Sequence, residues 1–337
     1  MSSSQNHITF WNGNKMPVVG LGTWQSSKEE IQKAVNAALE AGYRHIDTAY
    51  NYLNEDAIGE VLQQWIQSGK VKREELFIVT KLPMIGNRPE DVEKFLRKSL
   101  SALRLDYIDL YLIHAPIGLI GKHDQDVFPH DEQGFAMIDM HTNLVELWKS
   151  MEKQVDAGLV KSIGVSNFNE EQIKRIINNS RIKPANVQVE MHVQFQQKSL
   201  REFCQKHGLT ICAYAPFASP GRNEFYSKLG LKPPVVIPDL FQHPVIVKIA
   251  NKHKKSSAQI LIKYLTELGV SVIPKSVSSE RIRSNIQIFD FTLSPVDMAQ
   301  LQELDLGEMG FTFEFSSFFK GMDKHPENPF PHRAPKN

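Results

Sequence analysis

The chain has 337 residues, 41% of them hydrophobic, which suffices for a large core in one α/β barrel or two average domains. Charged residues make up 23% and the net charge is +1, which argues against a surface built for nucleic acid or acidic membranes. Two cysteines, Cys204 and Cys212, exclude a disulfide framework; both lie in apolar segments and read as small buried thiols. The longest apolar runs are strand-length, so no membrane span is expected. The start is polar and lacks the apolar region of a signal peptide, and the end matches no retention or peroxisomal signal, so a cytoplasmic location is the expectation.

Residues 8–11 and 16–19, joined by Asn12-Gly13-Asn14-Lys15, read as a leading hairpin. A first barrel strand follows around 18–22. Ser27-Lys28-Glu29-Glu30 is a capping box, and Ile31, Val35, Ala38 and Leu39 keep helical spacing up to Gly42. After a strand at 44–49, Asn54 can cap a helix with Ile58, Val61, Leu62, Trp65 and Ile66 on one face. A strand at 76–81 precedes a helix opened by Pro89-Glu90, with Val92, Phe95, Leu96 and Leu103 inward. The strand at 107–114 leads to a helix at 143–156, and the strand at 160–166 to a helix at 170–179. The strand at 186–191 leads to a helix at 199–207, and the strand at 209–215 to helices within 245–268. A last strand at 270–274 leads to helices at 280–288 and 295–304.

Eight strand–helix units result, and several strands are apolar throughout, as buried parallel strands are. One closed (β/α)₈ TIM barrel over residues 1–337, with an N-terminal β-hairpin, is the economical architecture. An open doubly wound sheet is the rival, but Gly20-Leu21-Gly22-Thr23-Trp24 lacks the third glycine of a dinucleotide fingerprint. Three segments break the short-loop rhythm: 115–141, 216–244 and the tail, 307–337. The first two follow barrel strands and should rise over the mouth. The tail carries Phe311, Phe313, Phe315, Phe318, Phe319 and Phe330, which either pack on the barrel or wall a pocket over the active site.

Barrel enzymes carry their chemistry at strand C-termini. Asp47 and Tyr52 follow the second strand, Lys81 ends the third and His114 ends the fourth. Singly, each has a bland reading: a structural ion pair, a half-buried aromatic, a satisfied imidazole. Together they read as one assembled site. A phenol near its ordinary pKa of about 10 is a poor acid at neutral pH. Lys81 is therefore expected to lower the Tyr52 pKa, with Asp47 orienting Lys81 and His114 beside the substrate carbonyl.

Four motifs carry a resemblance. They are Gly42-Tyr43-Arg44-His45-Ile46-Asp47-Thr48-Ala49-Tyr50-Asn51-Tyr52 with Asn54-Glu55, Leu105-Asp106-Tyr107-Ile108-Asp109-Leu110-Tyr111-Leu112-Ile113-His114, Gly164-Val165-Ser166-Asn167-Phe168, and Ile273-Pro274-Lys275-Ser276. In this order, over roughly the whole chain, they resemble the aldo-keto reductase superfamily. The resemblance implies a monomeric (β/α)₈ barrel that reduces carbonyls with NADPH, using Asp47, Tyr52, Lys81 and His114 as its tetrad and no metal. It implies that Ser166, Asn167 and Gln188 hold the nicotinamide carboxamide and that Tyr214 stacks on its ring. Thr23 and Trp24 match the first-strand mouth, and Ser219 the loop over the cofactor. Lys275, Ser276 and Arg281 match the grip on the adenosine 2′-phosphate, and Asn285 an adenine contact.

None of the departures touches the tetrad: Ala115-Pro116 stands where many members carry tryptophan and Leu82-Pro83 where some carry a second, Ser219-Pro220-Gly221 lacks a clamping aspartate, and Ser284 replaces an acidic adenine contact. The implied pocket is lined by Trp24, Ala115, Phe311 and Phe313 and takes bulky apolar aldehydes or ketones. The chain is also similar to insect-type members, which suggests steroid- or ecdysteroid-like or isoprenoid carbonyls. The alternatives are an NADPH-binding auxiliary protein that has kept the barrel without turnover, and a phosphate-binding barrel isomerase with no nicotinamide.

Overall fold

Two short strands, β1 (His7–Thr9) and β2 (Lys15–Pro17), pair antiparallel as the leading hairpin. The computed structural model describes residues 6–222, 227, 239–313 and 320–331. Barrel strands β3 (Leu21–Gly22), β4 (His45–Asp47), β5 (Phe77–Leu82) and β6 (Ile108–Ile113) follow. A small antiparallel pair, β7 (Gly118–Leu119) and β8 (Ile138–Asp139), interrupts them. The barrel resumes with β9 (Val160–Ser166), β10 (Asn186–Glu190), β11 (Thr210–Tyr214) and β12 (Ser271–Val272). The eight barrel strands are parallel, in the order β12-β11-β10-β9-β6-β5-β4-β3. The two outermost strands also meet. Val272 N–H donates to Val18 O (2.7 Å), Gly20 N–H to Val272 O (2.8 Å) and Gly22 N–H to Pro274 O (3.2 Å). The sheet thereby closes into a (β/α)₈ barrel with no free edge.

Alternation along the strands sorts side chains into inside and outside. Phe77 and Val79 of β5, Leu110 and Leu112 of β6, and Cys212 of β11 form one buried cluster with Phe10 and Met16 of the hairpin. The hairpin therefore plugs the N-terminal end of the barrel. The opposite row packs against helices α1 (Lys28–Glu40), α2 (Glu55–Gln67) and α3 (Val92–Leu103) in a larger core. Each large apolar side chain buried there contributes about 2 kcal/mol. The circuit is completed by α4 (Leu144–Asp156), α5 (Glu170–Asn179), α6 (Lys198–His207), α7 (Pro244–His253), α8 (Ser257–Glu267), α9 (Ser279–Asn285) and α10 (Pro295–Gln302).

Several local expectations need correction. α3 starts at Val92 behind Asp91, so Pro89-Glu90 precede the helix rather than open it. Asn54 occupies the N-cap position of α2 without capping it. Its amide instead donates to Thr23 O (2.9 Å) and its Oδ1 accepts from Thr48 Oγ1 (3.4 Å), which ties three mouth segments together. α9 stops at Asn285, short of residue 288. The expected tail residues Phe315, Phe318 and Phe319 lie outside the described residues, as does much of 216–244. Among the described residues, no helix is long and apolar enough to cross a membrane.

Candidate active site

Lys81 continues the inward row of Phe77 and Val79, one step nearer the C-terminal mouth. Asp47 ends β4, His114 directly follows β6, and Tyr52 closes a single 3₁₀ turn, Tyr50–Tyr52, beyond β4. The structure brings all four together. Lys81 Nζ donates to Asp47 Oδ1 (2.5 Å) and Thr48 O (2.9 Å) and reaches Tyr52 OH at 3.5 Å. An ammonium has three hydrogens, and these three acceptors account for them. Asp47 Oδ2 accepts from Gln188 Nε2 at 2.7 Å, so both oxygens of this buried carboxylate are engaged. The His114 ring stands edge-on to the Tyr52 ring, 5.7 Å between centroids.

Burial sets the protonation states. It pushes the Tyr52 phenol above its usual value, and the opposing pull of Lys81 does not overcome it. The expectation that Lys81 leaves Tyr52 with a lowered pKa is therefore corrected: the direction of its charge is right, but desolvation is larger. For Lys81 itself, burial works against the charge, but Asp47 and Tyr52 outweigh it and its pKa stands above the usual one. His114 falls well below the ordinary imidazole range through burial and the Lys81 charge, so it is neutral at physiological pH. Among the described residues, its buried Nδ1 has no hydrogen-bond partner.

A second group adjoins the first. Asn167, in the left-handed region at φ 62°, donates from Nδ2 to His114 O (2.9 Å) and Ser166 Oγ (3.1 Å). Its Oδ1 accepts from Tyr214 OH at 2.8 Å. Thr23 is buried and donates to Asp47 O (2.8 Å), so Thr23 and Gln188 both lean on Asp47. Lys275 and Ser276 follow β12, and Lys275 pairs beside Gly22, which sets this edge next to the first-strand mouth. Arg281 is exposed on α9 and Asn285 is buried there; Ser219 follows β11 in the left-handed region. Trp24 packs edge-on against Phe313 (5.2 Å), and Phe313 lies 6.3 Å from Tyr214. Ala115 is buried, with its carbonyl held by Asn87, and Phe311 is buried against Phe195 and Phe330 and lines a cavity with Asn167 and Tyr214.

The model of the aldo/keto reductase family matches residues 18–306. This chain belongs to the aldo/keto reductase family. Family members are oxidoreductases acting on carbonyl compounds. Aldo-keto reductase family 1 member A1 from Gallus gallus is 42% identical over 306 residues, 90% of each chain. Dihydrodiol dehydrogenase 3 from Bos taurus is 39% identical over 335 residues, 98% of this chain and 99% of that one. The solved structure of the aldose reductase from Schistosoma japonicum matches with a TM-score of 0.84 at 43% identity, covering 97% of this chain and 99% of that one.

Three buried residues of this aldo/keto reductase carry no role legible in the sequence, although Glu55 stands within the first motif. Glu55 lies buried behind β5, accepting from Thr80 Oγ1 (2.5 Å) and Ser99 Oγ (2.8 Å), and burial pushes its carboxyl up to about 7. Glu190 is a buried acid at the end of β10, bound to the backbone of residues 312 and 313. Arg222 is buried and donates to Thr312 O. Period-2 counting from Gln188 would have found Glu190, because it continues the inward row. The partners of Glu55 and Arg222 carry no local signal.

Proposed function

We propose that this protein is an NADPH-dependent reductase of aldehydes and ketones with Tyr52 as the general acid. The observation that carries this reading is the buried Lys81 ammonium, which sits between the Asp47 carboxylate and the Tyr52 hydroxyl at the barrel mouth. The residues fit the cofactor. Ser166, Asn167 and Gln188 offer side-chain hydroxyl and amide groups that match a carboxamide, beside the half-buried face of Tyr214. Lys275 and the exposed Arg281 suit a 2′-phosphate, Arg by bidentate geometry and Lys as a point charge. Reduced nicotinamide, when bound, supplies a hydride to the carbonyl carbon.

The chain's own groups do the rest. Tyr52 is protonated at neutral pH but its raised pKa makes it a weaker acid, so donation from its hydroxyl to the oxygen that becomes the alkoxide depends on the Lys81 charge. Lys81 stabilises the phenolate left behind, and Asp47 holds Lys81 in place. His114, neutral, offers one N–H to the same carbonyl oxygen. Acid catalysis of this kind contributes roughly 10²–10⁴-fold. Trp24, Tyr52 and Phe313 favour a bulky apolar carbonyl, steroid-like or isoprenoid compounds among them. The test is NADPH oxidation followed by nicotinamide absorbance with a panel of aldehydes and ketones. Turnover of bulky apolar members supports the reading. Tight NADPH binding without turnover of any of them would sink it in favour of a non-catalytic, cofactor-binding role.

A further inference from the structure

Glu190 lies on the inward row of β10, two residues beyond Gln188, and is fully buried. Its Oε1 accepts the Thr312 amide at 2.8 Å and its Oε2 the Phe313 amide at 2.9 Å, with His192 Nε2 3.1 Å from Oε1. Two adjacent amides on two oxygens of one rigid group fix both the position and the direction of the chain. A carboxylate can accept on both sides, whereas a carboxamide presents an N–H to one of the two amides. The approach to this clamp is equally constrained. Leu306 N–H donates to Gln194 O at 2.9 Å, and a Cβ on Gly310 would lie 1.9 Å from the same oxygen, so only glycine fits. Arg222, from the segment after β11, donates to Thr312 O at 2.9 Å. Held in this way, Phe313 stands against both Trp24 and Tyr214.

The proposed hydride and proton transfers make no use of Glu190. We propose that Glu190 is a positioning residue for carbonyl specificity: it registers residues 312 and 313 so that Phe313 walls the pocket beside Trp24 and Tyr214. Arg222 ties the same wall to the segment that follows Tyr214. This proposal rests on the carbonyl-reductase reading for its substrate consequence and on geometry alone for the clamp.

The test pairs hydrogen exchange with kinetics on Glu190→Gln, with Glu190→Asp as a second variant that keeps the charge but withdraws it by one methylene. Amide exchange at Thr312 and Phe313 should accelerate about tenfold or more in both variants, read by mass spectrometry on the full chain. For a bulky aromatic ketone, kcat/KM should fall about tenfold through KM, while propanal and NADPH affinity stay within about twofold. Phe313→Ala should give the same split, and adding Glu190→Gln to it should cost nothing more. Unchanged exchange, equal losses on the two carbonyls, or fully additive losses would each overturn the proposal. A wild-type protein that reduces neither carbonyl defeats the carbonyl-reductase reading and the specificity claim, while the exchange result still judges the clamp.

Discussion

At the scale of single residues, the site depends on where burial and charge disagree. Burial alone would discharge Lys81, yet Asp47 and Tyr52 keep it an ammonium, while burial and the Lys81 charge both keep His114 neutral. Glu55 shows the same competition with a different outcome. Its folded pKa, about 7, lies above the unfolded value of about 4.3, so the native state holds a proton that the unfolded chain releases. That contribution to stability is complete below the unfolded pKa and is lost as pH rises through about 7. Glu55→Gln removes the titration. Relative to the variant, the wild type should lose on the order of 3 kcal/mol between about pH 4.5 and about pH 7.5, measured by denaturant unfolding. Parallel pH profiles would contradict the assignment. Lys275→Ala should weaken NADPH about tenfold and NADH within about twofold, read by fluorescence titration. Equal weakening would remove the 2′-phosphate role.

At the scale of elements, caps and helix faces were legible and element ends were less so. Ser27 and Glu30 form the capping box that their spacing announces, because both partners lie within one turn. Asn54 does not cap, because Thr23, 31 residues away, and Thr48 compete for its amide. The first strand shrinks to Leu21–Gly22, with flanking bridges, because its length depends on β12 across the closure. Helix contact gives a test whose sign is informative. Gly59→Ala should gain about 1 kcal/mol in helix propensity. In α2, however, the new Cβ would lie 2.3 Å from Ala102 O of α3, a backbone atom that cannot swing away. The variant should therefore be less stable by about 1–2 kcal/mol in urea unfolding, and a stabilised variant would show that the two helices separate freely.

At the scale of the whole molecule, the parallel pairing of the neighbouring strands β4, β5 and β6 gathers Asp47, Lys81 and His114 at one rim although helices separate these strands in the chain. The strand-end rule made that much of the candidate site readable before any coordinates. The tail was not readable, since the contact of Thr312 with Glu190 spans 122 residues and rests on backbone amides that any side chain could carry. Nor was the balance at Tyr52, where burial exceeds the pull of Lys81. The central claim is that the Tyr52 hydroxyl supplies the proton in carbonyl reduction. The most direct measurement is single-turnover NADPH oxidation by Tyr52→Phe with a reducible aldehyde, beside NADPH binding to the same protein. The rate should fall at least about 10²-fold below wild type, with NADPH affinity unchanged. A variant that oxidises NADPH at the wild-type rate would contradict it.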